Sequence, residues 1–164
     1  MASLVAAATI TINAPLEVVW SVMVDLQKYY AWNPFIVHVE DAPERPQVGA
    51  RFRLHVRWAN GQAIRSWETV TEVAPSVPVP AGEAASALFA YRYSAWLAQA
   101  GLVQSTREQR LSQSPGQPTL YQTQELFRGA LARFVPLPEV QDGFQRHAQA
   151  LKRRAEALAA SGCN

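Results

Sequence analysis

The segment from residue 139 to residue 160 constrains the fold of this chain more than any other stretch. Apolar residues and one histidine recur there on one helical face: Val140, Phe144, His147, Leu151 and Leu158. At 1.5 Å per residue such a helix is roughly 30 Å long. A helix with a single apolar stripe has to bury it against another layer. The rest of the chain must therefore supply the covering surface.

The preceding sequence supplies that surface as strands joined by turns. Alternating or β-rich runs occupy residues 8–12, 35–39, 51–58, 63–73, 88–96, 102–111 and 119–128. Asn60-Gly61 is a strong hairpin signal, and residues 15–24 and 26–31 have the spacing of two short helices. Residues 75–87 are rich in proline and predict a long loop. The order predicts an α+β fold, in which a curved antiparallel sheet of about six or seven strands wraps around the long C-terminal helix.

Composition limits the classes of protein that fit. The 164 residues are 49% hydrophobic and carry a net charge of +2, which suits one domain spanning residues 1–164 and argues against a nucleic-acid partner. No apolar stretch is long enough for stable membrane insertion. The single cysteine, Cys163, excludes an intrachain disulfide, so we expect a cytoplasmic protein.

Short sequence pieces along nearly the whole chain resemble one known family. The pieces are Ile12-Asn13-Ala14-Pro15 with Val18, Val19 and Trp20; Tyr29 with Trp32-Asn33-Pro34-Phe35; Gly49; Gly101; Glu125-x-Phe127-x-Gly129; and Gly143-Phe144 before Ala150-Leu151-Lys152. Together they are similar to the START-like helix-grip (SRPBCC) superfamily, in particular its bacterial polyketide cyclase/dehydrase-like branch. The resemblance implies a ligand cavity between sheet and helix. Because the fold hosts binding proteins, lipid carriers, cyclases and hydrolases, it does not choose among these functions.

The resemblance also suggests which side chains meet a ligand. The expected apolar lining is Trp20, Tyr29, Trp32, Phe35, Phe52, Leu54, Trp67, Tyr91, Phe127, Phe144 and Leu151. The alternative for each is that it fills the core, as buried aromatic residues usually do. The polar residues expected to orient the ligand are Arg107, Gln109, Tyr121, Glu125 and His147. Family members often carry an aromatic residue or histidine where Arg107 and Gln109 stand, so this cavity is expected to be more polar.

Arg107 and Glu125 form the sharpest pair. The turn between residues 111 and 119 places them opposite each other on neighbouring strands. If both point inward, they are expected to form an ion pair, because an unpaired buried charge costs several kcal/mol. A one-residue slip would instead place Arg107 on the solvated outer face. His147 is either a ligand-contacting or proton-transferring group or a satisfied core histidine.

Three functional classes remain open at this stage. The first is binding of a small hydrophobic molecule such as a lipid, quinone, polyketide or aromatic metabolite. The second is a cyclase or dehydratase, with Arg107, Glu125, Tyr121 or His147 moving protons. The third is a protein-interaction module with a filled core. The scattered histidines predict no metal site, and no motif predicts a cofactor or assigns catalytic residues.

Overall fold

The computed structural model describes residues 4–162. Its strands are β1 (Leu4–Ile12), β2 (Ile36–Glu40), β3 (Arg51–Arg57), β4 (Ala63–Ala74), β5 (Ala85–Tyr93), β6 (Gln104–Gln113) and β7 (Thr119–Arg128). Its helices are α1 (Leu16–Val24), α2 (Trp96–Gln99) and α3 (Leu137–Ser161), with 3-10 helices at Leu26–Ala31 and Ala132–Phe134. None of the helices in residues 4–162 has the length and apolarity to cross a membrane.

The seven strands form one antiparallel sheet in the order β1-β7-β6-β5-β4-β3-β2. The register shifts between Ile36 and His38, and again between Val70 and Glu72. Such irregularities bend and twist a strand, which helps a sheet to curve. The sheet wraps around α3, which packs against β1 and α1. The predicted α+β helix-grip fold is confirmed.

Alternation along the strands separates an inner and an outer face. In β3, Phe52, Leu54 and Val56 are buried, whereas Arg51 and Arg57 are exposed. The stripe of α3 is buried as expected from Val140 to Leu151, and its last predicted member, Leu158, remains 37% exposed. The inner face of the sheet and this stripe of α3 therefore enclose the core.

The differences from the sequence prediction lie mainly at element ends. The long loop is shorter than expected, because β5 already begins at Ala85 and leaves residues 75–84 without regular structure. The α2 helix and the 3-10 helix at Ala132–Phe134 were not predicted, since segments of three or four residues have no measurable periodicity. Cys163 lies outside the described residues.

Close packing between α3 and the Pro34–Phe35 segment depends on Gly143. A Cβ atom at this position would overlap the ring of Phe35. We therefore expect Gly143→Ala to lower the free energy of unfolding by about 1–2 kcal/mol, although alanine is the better helix former, because overpacking a core costs about 1–3 kcal/mol. Urea denaturation measures this difference.

Gly162 provides the matched control for Gly143. A Cβ atom there would meet nothing closer than 3.6 Å, and its φ of −83° suits alanine. Gly162→Ala is therefore expected to leave the urea midpoint nearly unchanged. Equal midpoints for the two variants would contradict the packing argument.

Candidate functional site

A cavity of about 200 Å³ lies between the inner face of the sheet and the first turns of α3. Its apolar and aromatic lining is Phe35, Ile36, Leu54, Val56, Trp58, Ile64, Tyr91, Tyr93, Val103, Phe127, Val135, Pro136, Val140 and Phe144. The polar members are Ser66, Glu68, Ser105, Arg107 and Glu125. The site is thus an apolar pocket into which one arginine and two carboxyl groups point.

The cavity volume limits the size of a ligand. An apolar cavity of about 150 Å³ is known to hold benzene, whereas pockets for drug-sized ligands measure about 300–1,000 Å³. At about 200 Å³ the cavity suits a compound of one or two rings without rearrangement. A longer lipid would require the sheet and α3 to move apart.

Arg107 on β6 faces the interior and is only 2% exposed. Its Nε donates to Thr123 Oγ1 at 3.1 Å, and its Nη1 donates to the Tyr91 hydroxyl at 3.1 Å. The guanidinium carbon lies 4.0 Å from the centroid of the Phe144 ring, a cation–π distance. Arg107 therefore stands at the boundary between the cavity and the helix.

The expected ion pair between Arg107 and Glu125 is wrong. The two residues are register partners on β6 and β7, as the turn predicts. Within residues 4–162, however, no carboxylate lies within 4.0 Å of the guanidinium. Thr123 and Tyr91 take its donors instead and hold the guanidinium over Phe144, on the helix side of the sheet.

Glu68 on β4 is the site residue that sequence reasoning missed. It is 6% exposed, and the Ser66 hydroxyl donates to its Oε1 at 2.5 Å. Burial, together with the nearby charge of Glu125, raises the pKa of Glu68 to about 8. The sequence could have indicated its direction, because Glu68 lies an even number of residues from Ile64 and Val70 and is therefore on the same face of the strand. A carboxyl group with this pKa is mostly protonated at neutral pH.

Glu125 has a similar environment on β7. Burial raises the pKa of its carboxyl group, while the Ser105 hydroxyl and the charge of Arg107 act in the opposite direction. Both cavity carboxyl groups are thus shifted toward their neutral forms. Together with the fixed charge of Arg107, they give the cavity a proton donor beside a cationic hydrogen-bond donor.

His147 on α3 is held by Asn33, which lies before β2. The Asn33 Oδ1 accepts hydrogen bonds from the backbone N–H groups of Phe35 and Ile36, both at 3.0 Å. Its amide nitrogen must therefore be the donor to His147 Nδ1, at 2.8 Å. Burial and the positive charge of Arg107 lower the pKa of His147 well below its usual value. The ring is neutral, with its proton on Nε2.

Gln109, Tyr121 and Tyr29 surround His147 in the core. The Tyr121 hydroxyl donates to Gln109 Oε1 at 2.8 Å, and its ring stacks on His147 at 6.1 Å. The Tyr29 hydroxyl donates to the Met23 carbonyl at 2.6 Å. None of these four residues, His147 included, belongs to the lining of the cavity.

The remaining predicted site residues divide between core, helix surface and outer face. Phe52 packs edge-on against Tyr91 at 5.3 Å, and Leu151 is fully buried. Trp32 packs against Tyr29 and His147, and Trp20 is half-buried against the core.

Trp67 differs from these residues because its ring lies on the outer face. The guanidinium carbons of Arg51 and Arg53 lie 4.5 and 5.0 Å from its centroid. Five of the sixteen predicted residues therefore reach the cavity through apolar or aromatic side chains, and these are Phe35, Leu54, Tyr91, Phe127 and Phe144. The predicted polar residues Arg107 and Glu125 also reach it.

The described chain offers no obvious place for a metal ion. Among residues 4–162, no group of three or more His, Cys, Asp or Glu side chains is arranged to hold one. The side chains that line the cavity supply hydrogen-bond donors, two carboxyl groups and apolar surface.

Comparison with known proteins places this geometry among helix-grip folds. Residues 3–80 match the model of a family described as polyketide cyclase / dehydrase and lipid transport. The Zhui aromatase/cyclase from Streptomyces sp. R1128 has a similar structure, with a TM-score of 0.65, 20% identity and coverage of 99% of this chain and 97% of that chain. A START superfamily protein from Mycobacterium smegmatis aligns with a TM-score of 0.56 and 19% identity, over 96% of this chain and 97% of that chain.

A plant protein has the same fold at lower identity. The ginseng major latex-like protein 151 from Panax ginseng aligns with a TM-score of 0.64 and 10% identity, over 96% of this chain and 97% of that chain. The chain spans about half the length of the di-domain ARO/CYC BexL, with a TM-score of 0.60 and 14% identity. No curated protein matches the sequence. At these identities the structural matches establish the fold and leave the ligand open.

Proposed function

We propose that the chain is a START-like helix-grip protein of the polyketide cyclase-like kind and that it binds a small hydrophobic molecule between the sheet and α3. The observation that carries the proposal is the apolar cavity of about 200 Å³ with Arg107 in its lining. Pockets of this kind, mostly apolar with a few placed polar groups, are typical ligand sites.

The proposed ligand has one or two rings and one polar end. Burial of its apolar surface would contribute about 25 cal/mol per Å² before the costs of association are subtracted. The polar end would meet Arg107, which is the cavity's fixed charge. Aromatic metabolites, quinones and short polyketides fit this size. A lipid would fit the cavity only if a single short acyl chain entered it. We also propose a cytoplasmic location, in keeping with the single cysteine.

A cyclase or dehydratase activity is the second candidate, and Glu68 favours it. A buried carboxyl group with a pKa of about 8 can donate a proton at neutral pH. Arg107 would hold the substrate carbonyl oxygen as it gains negative charge, and Glu68 would protonate a leaving hydroxyl group, which departs as water. In the same step the carbon beside the carbonyl would lose its proton to the forming Glu68 carboxylate, which restores the neutral acid.

Filling the cavity is the direct test of binding. Val103 lines the cavity, so Val103→Trp is expected to occupy its volume and abolish binding of one- and two-ring compounds. Native mass spectrometry of the purified protein should show a co-purifying small molecule on the wild type and none on the variant.

Val77 provides the control for Val103. It is 66% exposed in the loop before β5, and Val77→Trp adds the same ring without touching the cavity. This variant should bind like the wild type. Unchanged binding by folded Val103→Trp, as judged by circular dichroism, would overturn the proposed site.

A further inference from the structure

The unpartnered polar atoms of the interior share one chemical character. Among the described residues, four buried side-chain atoms lack a hydrogen-bond partner: Ser94 Oγ, Arg107 Nη2, Gln109 Nε2 and His147 Nε2. Arg107, Gln109 and His147 are at most 2% exposed. Their three unpartnered atoms are all N–H donors, because the tautomer of His147 places its proton on Nε2. A buried donor left unsatisfied is costly, so each of these three atoms would be stabilised by an acceptor placed beside it.

These donors belong to one connected cluster. Tyr121 joins Gln109 to His147, by a hydrogen bond to one and ring stacking on the other. Phe144 lies one helical turn before His147 and carries the Arg107 guanidinium on its ring. Arg107 is the member that lines the cavity, and its Nη2 has no hydrogen-bond partner among the described residues.

The charge of Arg107 is also left without a counter-ion. Its partners, Thr123 and Tyr91, are neutral hydroxyl groups. Glu68 and Glu125 line the same cavity, but among the described residues neither carboxyl group comes within 4.0 Å of the guanidinium. A buried arginine without an opposing charge is costly, and an anionic oxygen is its best partner.

We propose that the cavity is selective for a ring-bearing organic acid, whose ionised carboxylate or phenolate oxygen pairs with Arg107. The inference rests on the proposed binding function and adds the chemical class of the ligand. A neutral ligand would leave the arginine charge uncompensated. A cationic ligand would be repelled by the charge of Arg107.

Three matched two-ring probes test the charge preference. Isothermal titration calorimetry at pH 7 would compare naphthoate, naphthamide and naphthylmethylamine, which share a ring system and differ in the charge of the polar end. The wild type is expected to bind naphthoate about tenfold or more tighter than either of the others, the scale of a charge-assisted hydrogen bond. Arg107→Gln should remove that advantage and leave naphthamide binding within about threefold.

Arg110 on the same strand supplies the matched control. Its side chain is 54% exposed and pairs with Glu108 on the outer face, so Arg110→Gln should retain the wild-type order of affinities. The order measured on the wild type does not depend on whether Arg107→Gln folds. Tightest binding of naphthylmethylamine, or equal binding of all three probes, would overturn the organic-acid preference and leave the binding function standing. Binding of none would overturn both.

Discussion

Replacing Asn33 by alanine is expected to lower the free energy of unfolding by about 3–9 kcal/mol, since three buried groups lose their partners at about 1–3 kcal/mol each. Asn33 is 4% exposed and satisfies the backbone N–H groups of Phe35 and Ile36 as well as His147 Nδ1. In Asn33→Ala these three groups would stay buried in the core without a hydrogen-bond partner. Urea denaturation at pH 7 measures the loss.

A second asparagine separates this network effect from the chemistry of the substitution. Asn60 Oδ1 accepts one hydrogen bond, from the Gln62 N–H at 2.9 Å, and lies in an exposed hairpin turn. Asn60→Ala should therefore cost no more than about 1 kcal/mol. If the two variants were equally stable, Asn33 would not anchor the entry to β2, and the assignment of the His147 tautomer would lose its basis.

Replacing Glu68 by glutamine is expected to make the protein more stable at high pH and to change little at low pH. The pKa of Glu68 is raised to about 8 in the folded protein, against an ordinary value of 4.5. Between these values the folded state holds a proton that the unfolded state releases, so the wild type loses stability as the pH rises from 4.5 to 8. A glutamine side chain is neutral throughout and does not carry this cost.

The size of the effect follows from the same two pKa values. At about 1.4 kcal/mol per pH unit, the advantage of Glu68→Gln is expected to grow from near zero at pH 4 to about 3 kcal/mol at pH 7 and about 5 kcal/mol at pH 9. Urea denaturation at the three pH values measures the curve. Glu72→Gln, at an exposed position on the same strand, is the control and should give a flat difference. A flat curve for Glu68→Gln would mean that this carboxyl group is not shifted.

Much of the fold could be predicted because it depends on local patterns. The alternation in β3, the Asn60-Gly61 turn and the stripe of α3 each appear within about twenty residues of sequence. The register that sets Arg107 opposite Glu125 was also predictable, since it follows from one turn between neighbouring strands. Asn33 accepts hydrogen bonds from the backbone N–H groups of Phe35 and Ile36, which is likewise a local interaction.

The details of the candidate site depend on contacts between distant segments. The Arg107 side chain donates hydrogen bonds to Tyr91 and Thr123 and not to Glu125. This selection depends on the direction of the side chain and not on the register of the strands. The bond between Asn33 and His147 joins positions 114 residues apart, and no pattern in either segment predicts it. Several aromatic residues expected to line the cavity fill the core instead, because their number exceeds what a cavity of about 200 Å³ can expose.

The position of β1 at the edge of the sheet has a consequence for how the chain folds. β1 pairs with β7 along its whole length, from Leu4 opposite Phe127 to Ile12 opposite Thr119. Closing so long a loop is entropically costly, and such non-local pairing slows folding. During synthesis β1 cannot form its pairing in the sheet until β7 has left the ribosome. Until then its apolar side chains have no native partner in the sheet, so this wait is the period in which the nascent chain is most exposed to aggregation.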